Sequence, residues 1–444
     1  MKYETIKTAL LIFLVAISIY LTWTLWTFQV KYNNTFNNKD VLPKTKVEQK
    51  ELREVIKPYK IILHEKENHF GTTNSSEIEV VLNEISSWKF YDIGDVKEYK
   101  KSSVQKLIKG SRKIELNFPD EIPFETYKGI ITVNDKKIPM ANFDRIIIDL
   151  ANPSQKVTTV YFVSSKKNEA FSGLVSSSGL QAFVNKINNK IKNKNFYKPY
   201  SSYQLSNGKV IFLPTGEPEV TRYSDYWDRN DKEHIDRFKT ALFPDQNIVE
   251  KSVDGNKMEY NNGTSIMSAN MNQGTIYYVN FSESTDVIGH GREIIKHSND
   301  FVNRNGGWMD NFLYFSGNPA KNQTVFRLFK EGLPVFTDDH LAEVLLNWGE
   351  NQIYEYQRPY MDFETMLSLS PDSSVVKLES ANSVLNKLMA DPNIDSEKID
   401  NVIIGYQLVY NPKNKILRYE PKWFYQIDGN WKPLTSEEDH RGLE

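Results

Sequence analysis

The sequence predicts an α+β chain: a single N-terminal transmembrane helix, then an elongated ectodomain of about three domains, with antiparallel sheets, packed helices and repeated helix-plus-hairpin units. Three observations predict it. Residues 8–30 carry no charge, aromatic residues reach 13 % with 24 Tyr and 24 Phe, and a helical pattern followed by strand signals recurs along the rest of the chain. The uncharged run would form a helix of roughly 34 Å at about 1.5 Å per residue, enough for a hydrocarbon core of about 30 Å. Aromatic richness suits pleated, half-buried surfaces better than a helical bundle.

A cleaved secretory signal is the competing reading of the first segment, because Lys2 and Lys7 precede the apolar run. A signal's apolar region covers about 7 to 15 residues and ends at small side chains, whereas this one continues through Leu21, Leu25 and Phe28. Trp23, Trp26 and Phe28 would settle at a bilayer interface. Charge alone does not orient the span. Lys2, Lys7 and the amino terminus oppose Glu4 on one side, and Lys31, Lys39, Lys44 and Lys46 oppose Asp40 on the other.

The formal charge is −2; Lys2, Lys7 and Glu4 make residues 1–30 +1, which leaves −3 for the remainder. That balance carries no nucleic-acid footprint. Cysteine is absent, which excludes disulfides, thiolate zinc sites and a cysteine nucleophile.

Residues 1–30 are read as cytoplasmic tail and transmembrane helix, and 31–58 as a juxtamembrane linker whose Val47, Leu52, Val55 and Ile56 permit a short helix before Pro58. A mixed domain over 59–197 opens with a strand at 60–64. Asn74 with Glu77 marks a helix start, followed at helical spacing by Ile78, Val81, Leu82 and Ile85. Strands follow at 114–118, 145–150 and 158–163, then a helix capped by Ser178 with Leu180, Phe183, Val184, Ile187 and Ile191 on one face. The Asn- and Lys-rich stretch 188–198 is the internal boundary. A central domain over 198–289 holds strands at 210–213 and 220–227, a helix over Ile235, Phe238 and Leu242, and a meander at 257–261, 265–270 and 275–281 broken by Asn262-Gly263 and Gln273-Gly274. A C-terminal domain over 290–434 repeats that order twice. Its helices lie at 292–303 and 380–390, with strands at 312–315, 325–329, 341–347 and 353–356, then 402–410, 416–419 and 423–427. Residues 435–444 read as a disordered tail.

Catalytic patterns are weak. His290 and His297 lie seven apart and Asp338-Asp339-His340 sets carboxylates beside an imidazole, yet neither has a zinc-protease spacing; a turn with a capping histidine is the plainer reading. Ser103 with Lys106 and Ser164 with Lys167 have the serine-lysine spacing of penicillin-binding acyltransferases, and Ser268-Ala269-Asn270 a trace of their second element, but Lys-Thr-Gly is missing. Asp225, Tyr226, Trp227 and Asp228 could line a sugar site or simply end a strand. No nucleophile elbow, Walker A loop or dinucleotide fingerprint occurs, so the sequence gives no catalytic constellation, and no catalytic, cofactor-binding or metal residues are assigned.

The anchor carries more. Ser18, Thr22, Leu25 and Gln29 recur at intervals of four, three and four, one stripe that continues back through Leu11, Leu14 and Val15. Small and polar side chains on one face are how helices recognise one another in lipid. The alternative is that the hydroxyls bond back to their own helix carbonyls.

Ile6-Lys7-Thr8 with Leu21-Thr22-Trp23-Thr24-Leu25-Trp26-Thr27-Phe28, and residues 406–431 with Tyr419-Glu420-Pro421-Lys422-Trp423-Phe424, resemble the YycH (WalH) family. The resemblance implies a non-enzymatic accessory protein of Gram-positive bacteria, single-pass in the cell membrane, with its N-terminus cytoplasmic and its large domain outside. It implies partnership with YycI, as a heterodimer, and with the sensor histidine kinase WalK (YycG), which governs cell-wall metabolism. It also implies an elongated three-domain fold, and a kinase contact at Ser18, Thr22, Trp23, Leu25 and Trp26, to which the stripe adds Gln29. Membrane lipid is the remaining partner. A membrane-anchored binder of cell-wall fragments, or a surface hydrolase, is the rival class.

Overall fold

The computed structural model describes residues 2–27, 48–99, 107–108, 111–150, 157–176, 180–192, 196–227, 231–284, 291–363, 366–368, 374–411 and 414–434. The predicted cap Ser178 and the tail 435–444 lie outside them. Eight helices are described: α1 (Lys2–Thr27), α2 (Leu52–Val55), α3 (Ser75–Ser86), α4 (Phe124–Tyr127), α5 (Leu180–Lys192), α6 (Asp231–Leu242), α7 (Ile294–Arg304) and α8 (Ala381–Ala390).

Residues 1–46 form one unit and 47–444 another. In the first, α1 is the helix expected from the uncharged run. Among the described residues no helix is long and apolar enough to cross a membrane; the continuous stretch of α1 with described side chains is 11–22, all exposed, and short of the roughly 20 residues a span needs.

The larger unit is α+β, built on two sheets of 11 and 14 strands. Both are antiparallel except that Lys89–Tyr91 runs parallel to Thr132–Val133 and Leu333–Phe336 parallel to Ile399–Asn411. At the centre of the first sheet, Lys60–Glu65, Ser111–Pro123, Asn142–Asp149, Val157–Ser164 and Glu169–Ser176 lie side by side. Strand alternation sends Ile61, Leu63, Leu116, Ile146 and Ile148 to one face, buried in the cluster that holds Ile78, Val81 and Ile85 of α3 and Phe183, Val184 and Ile187 of α5. Asn74 caps α3 by accepting from the Glu77 amide at 3.1 Å. The Glu77 carboxylate does not return to the cap. It takes Lys190 of α5 at 2.6 Å and so ties the two helices together.

In the second sheet, Ile235 and Phe238 of α6 and Ile295 and Val302 of α7 pack in that main cluster with Met267, Phe326 and Tyr356. α8 instead buries Val384, Leu385 and Leu388 against both Ile211 and Leu213 and against Val402 and Trp423. Those strands come from different sheets, so α8 sits at their junction.

The predicted boundaries at 197/198 and 289/290 do not separate sheets. Lys198–Gln204 and Val210–Pro214 extend the first sheet by pairing through Asn68–Thr72, because the alternation of that hairpin continues the sheet's own. The meander joins the C-terminal strands through Thr275–Asn280 and Ile353–Pro359. The strand expected at 220–227 divides: Glu219–Thr221 pairs with Val375–Lys377, while Tyr223–Tyr226 enters the large sheet. Conversely, the strands expected at 416–419 and 423–427 are one, Ile416–Ile427, with Pro421 inside it. On the edge opposite Ile399–Asn411, Pro421 falls between the partners of Tyr223–Tyr226 and those of Asn430–Pro433, a gap where a missing N–H costs no ladder bond.

Candidate functional site

The second face of the first sheet is covered, with Ile62, Ile147, Val163 and Ala170 buried together with Ile108 and Phe212, and it also carries a row of polar and charged side chains. Lys60, Asn117 and Arg145 stand abreast on neighbouring strands, with Glu115 and His64 further along the same face. Glu115 is 0 % exposed and joins Arg145 Nη1 at 3.1 Å and His64 Nε2 at 2.9 Å. Burial by itself would raise its carboxyl, but Arg145, His64 and Lys60 outweigh that and hold it at about 2. His64 Nδ1 lies 3.0 Å from His69 Nδ1, its cross-strand neighbour. The Lys60 ammonium donates to the Phe212 carbonyl at 2.9 Å, and burial brings it down to about 8, with Glu115 opposing the shift and Arg145 adding to it.

This row forms the floor of a cleft of about 960 Å³ whose far wall belongs to the second sheet. There Arg327, 7 % exposed, lies over the rings of Phe315 and Phe336 at 4.6 and 4.4 Å, cation–π geometry. Its Nη1 donates to the Val335 carbonyl at 2.9 Å and its Nη2 to Glu343 at 2.5 Å. Burial raises the Glu343 carboxyl, but His340 and Arg327 together hold it at about 2. Phe336 stacks on Phe424 at 4.1 Å, and Trp431 adjoins Phe336 and Phe315 at 5.8 and 5.9 Å.

Asp120 closes one end of the cleft, accepting from the Gly317 amide at 3.0 Å and from Lys166 at 2.5 Å. Among the described residues, Arg327 Nε and Asn117 Nδ2 have no hydrogen-bond partner, and no group of three or more His, Asp or Glu has a metal-binding arrangement.

Two family models match the sequence that builds this fold: YycH protein, N-terminal domain, over residues 4–193, and YycH protein, C-terminal domain, over residues 209–439. The chain belongs to the YycH family. It is similar to the two-component system WalR/WalK regulatory protein YycH of Bacillus subtilis (strain 168), with 25 % identity over 456 residues, 98 % of this chain and 97 % of that one. The crystal structure of YycH from Bacillus subtilis shares the fold at a TM-score of 0.69 and 22 % identity, covering 88 % of this chain and 100 % of that chain. The resemblance read at the two ends of the sequence thus extends through its middle.

In this YycH-family chain the residues singled out from sequence are scattered. Ser18, Thr22, Trp23, Leu25 and Trp26 fall within α1, and Gln29 lies outside the described residues, as do His290, Asp228, Ser103 and Lys106. The Thr22 hydroxyl donates to the Ser18 carbonyl at 2.8 Å, the back-bonded alternative. Ser164 donates to Glu121 and accepts from the Lys167 amide at 3.1 Å; the lysine contributes its backbone, which makes a turn and no nucleophile. Ser268 and Ala269 lie in a strand, and Asn270 caps the turn after it. Asp225 is buried against Lys330 at 2.9 Å and Trp227 against Tyr410, so neither faces a sugar. His297 pairs with Glu293. Asp339 accepts from the Leu341 amide, with His340 beside Glu343. Only His340 and Asp338 of all these line the cleft.

Sequence reasoning missed Lys60, Glu115, Asn117, Arg145 and Arg327. The available signal was polar residues recurring at alternate positions inside otherwise apolar strands, which reads equally well as a wet face.

Proposed function

We propose that this YycH-family protein is a single-pass membrane regulator, N-terminus cytoplasmic and large domain outside, that modulates the sensor histidine kinase WalK (YycG) through packing of its transmembrane helix, together with YycI bound to its ectodomain. The observation that carries the reading is the match, over 98 % of the chain, to a protein described as a regulator of the WalR/WalK two-component system. The uncharged run 8–30 supports the anchor, and the exposed side chains of 11–22 leave a helix surface available to a partner. Such a regulator acts only through its differential affinity for two kinase states, and a coupling of about 1 to 3 kcal/mol changes the balance roughly 5- to 150-fold. Interhelical hydrogen bonds of about 0.6 to 2 kcal/mol each are of that order. Because the Thr22 proton is used within α1, Ser18 and Gln29 are the stronger donors for such contacts, with Trp23, Leu25 and Trp26 supplying packing.

The test is co-purification of WalK from membranes. Replacing Ser18, Thr22 and Gln29 together by leucine should reduce its recovery severalfold, and residues 1–46 alone should retain part of it. Unchanged recovery with the triple variant would remove the stripe from the contact.

A further inference from the structure

The cleft between the sheets has hydrogen-bonding capacity of one kind left over in its depth and of the other kind outside. Its inner acids are engaged: Glu343 by Arg327 and His340, Asp120 by Lys166 and the Gly317 amide, Asp144 by the Ser165 amide, and Glu115, beneath the floor, by Arg145 and His64. Three polar atoms of its lining are not engaged by any described residue: the donors Arg327 Nε and Asn117 Nδ2, on residues 7 % and 8 % exposed, and the Ser165 hydroxyl. A buried donor without an acceptor is costly and calls for an occupant. Lys209 also lines the cleft, its ammonium held below the usual lysine range by burial and by Arg145. In contrast, the lining carboxylates Asp338 and Asp400 are solvent-exposed.

Between these extremes the walls carry side-chain amides, nine Asn and Gln among the lining residues, including Gln407 and Gln426, the latter cross-strand from Trp431. A carboxamide offers one acceptor and two donors, the complement of a peptide unit. We propose that this cleft is a binding site for a short peptide with a free α-carboxylate, its carboxylate drawn to the buried donors and its amino end towards Asp338 and Asp400. The volume of about 960 Å³ suits a ligand of that size. The proposal does not rest on the kinase reading, because binding is measured on the purified chain alone.

The experiment titrates the full-length protein in detergent micelles with trialanine by calorimetry. Trialanine should bind saturably, its C-terminal amide about tenfold or more weaker, since a hydrogen bond to a charged group is lost, and its N-acetyl form less affected than the amide. Arg327→Gln should abolish binding. Since that residue is buried, the partly exposed Lys209→Gln, checked for native circular dichroism, provides a second variant and should weaken binding severalfold. Absence of saturable binding, equal affinity for acid and amide, tighter binding of glucuronic acid than of trialanine, or indifference to Lys209→Gln would each overturn the proposal.

Discussion

At the level of single residues, Glu115 governs the polar face of the first sheet. Removing one partner of a buried ion pair leaves the other charge uncompensated, at a cost of about 3 to 5 kcal/mol. Glu115→Ala should therefore lower the denaturant midpoint strongly, whereas Glu115→Gln, which keeps the shape, should cost less. Glu115 and Glu343 also set an acid limb of stability. Both are held at about 2 against an ordinary value of 4.5 in the unfolded chain, so their contribution is fully present above about pH 4.5 and is lost as pH falls towards 2. Thermal midpoints measured between pH 5 and 3 should decline, and the double variant Glu115→Gln, Glu343→Gln should decline less over the same interval. This part of the site was poorly legible in the sequence. Ile114-Glu115-Leu116-Asn117-Phe118 alternates like a strand with one wet face, and only the lid of other segments, Phe212 and the second sheet's wall, makes that face interior. The chemistry of Glu115 is set by residues 30 and more positions away, which local periodicity does not register.

Elements were legible where their own pattern decides them. The α3 helix follows from Asn74 and the spacing of Ile78, Val81 and Ile85, and Asn74→Ala should cost about 1 kcal/mol by removing the cap. The strands Lys60–Glu65, Asn142–Asp149 and Val157–Ser164 were readable for the same reason. Strands that exist only because a neighbour pairs with them were not. Glu250–Asp254 is exposed at every position and exists as an edge laid on Lys257–Asn261; Thr132–Val133 is two residues long and is held by Lys89–Tyr91. Close approaches are equally invisible beforehand. Gly332, in the turn between Gln323–Lys330 and Leu333–Phe336, has φ +80°, and a Cβ there would meet the Thr73 carbonyl well inside van der Waals contact. Gly263 has φ +87° with open space around it. Gly263→Ala should cost about 1 to 2 kcal/mol from the left-handed backbone alone, and Gly332→Ala distinctly more, measured by urea unfolding; equal losses would show that the turn yields without disturbing the entry to α3.

Across the folded unit 47–444, the two sheets depend on each other, across the boundaries drawn from composition. Tyr314 donates to the Glu121 carbonyl at 2.9 Å, Asn207 to the Ile399 carbonyl at 2.8 Å, and Asp120 receives the Gly317 amide. Each bond joins the first sheet to the second. The main apolar cluster runs through both sheets, and α8 adds a further joint by packing Val384 and Leu388 on Leu213 of the first and Trp423 of the second. A chain cut after residue 214 would expose Leu205, Ile211 and Leu213 and leave Asp120 facing water in place of Gly317. Elements that share a buried cluster unfold together. We therefore expect residues 47–444 to unfold in one calorimetric transition, with Asp120→Ala destabilising it by about 1 kcal/mol for the lost acceptor of the part-buried Gly317 amide and lowering its midpoint without splitting it. Two resolved transitions would mean that the sheets are stable separately, and the cleft they enclose would then open without unfolding either wall.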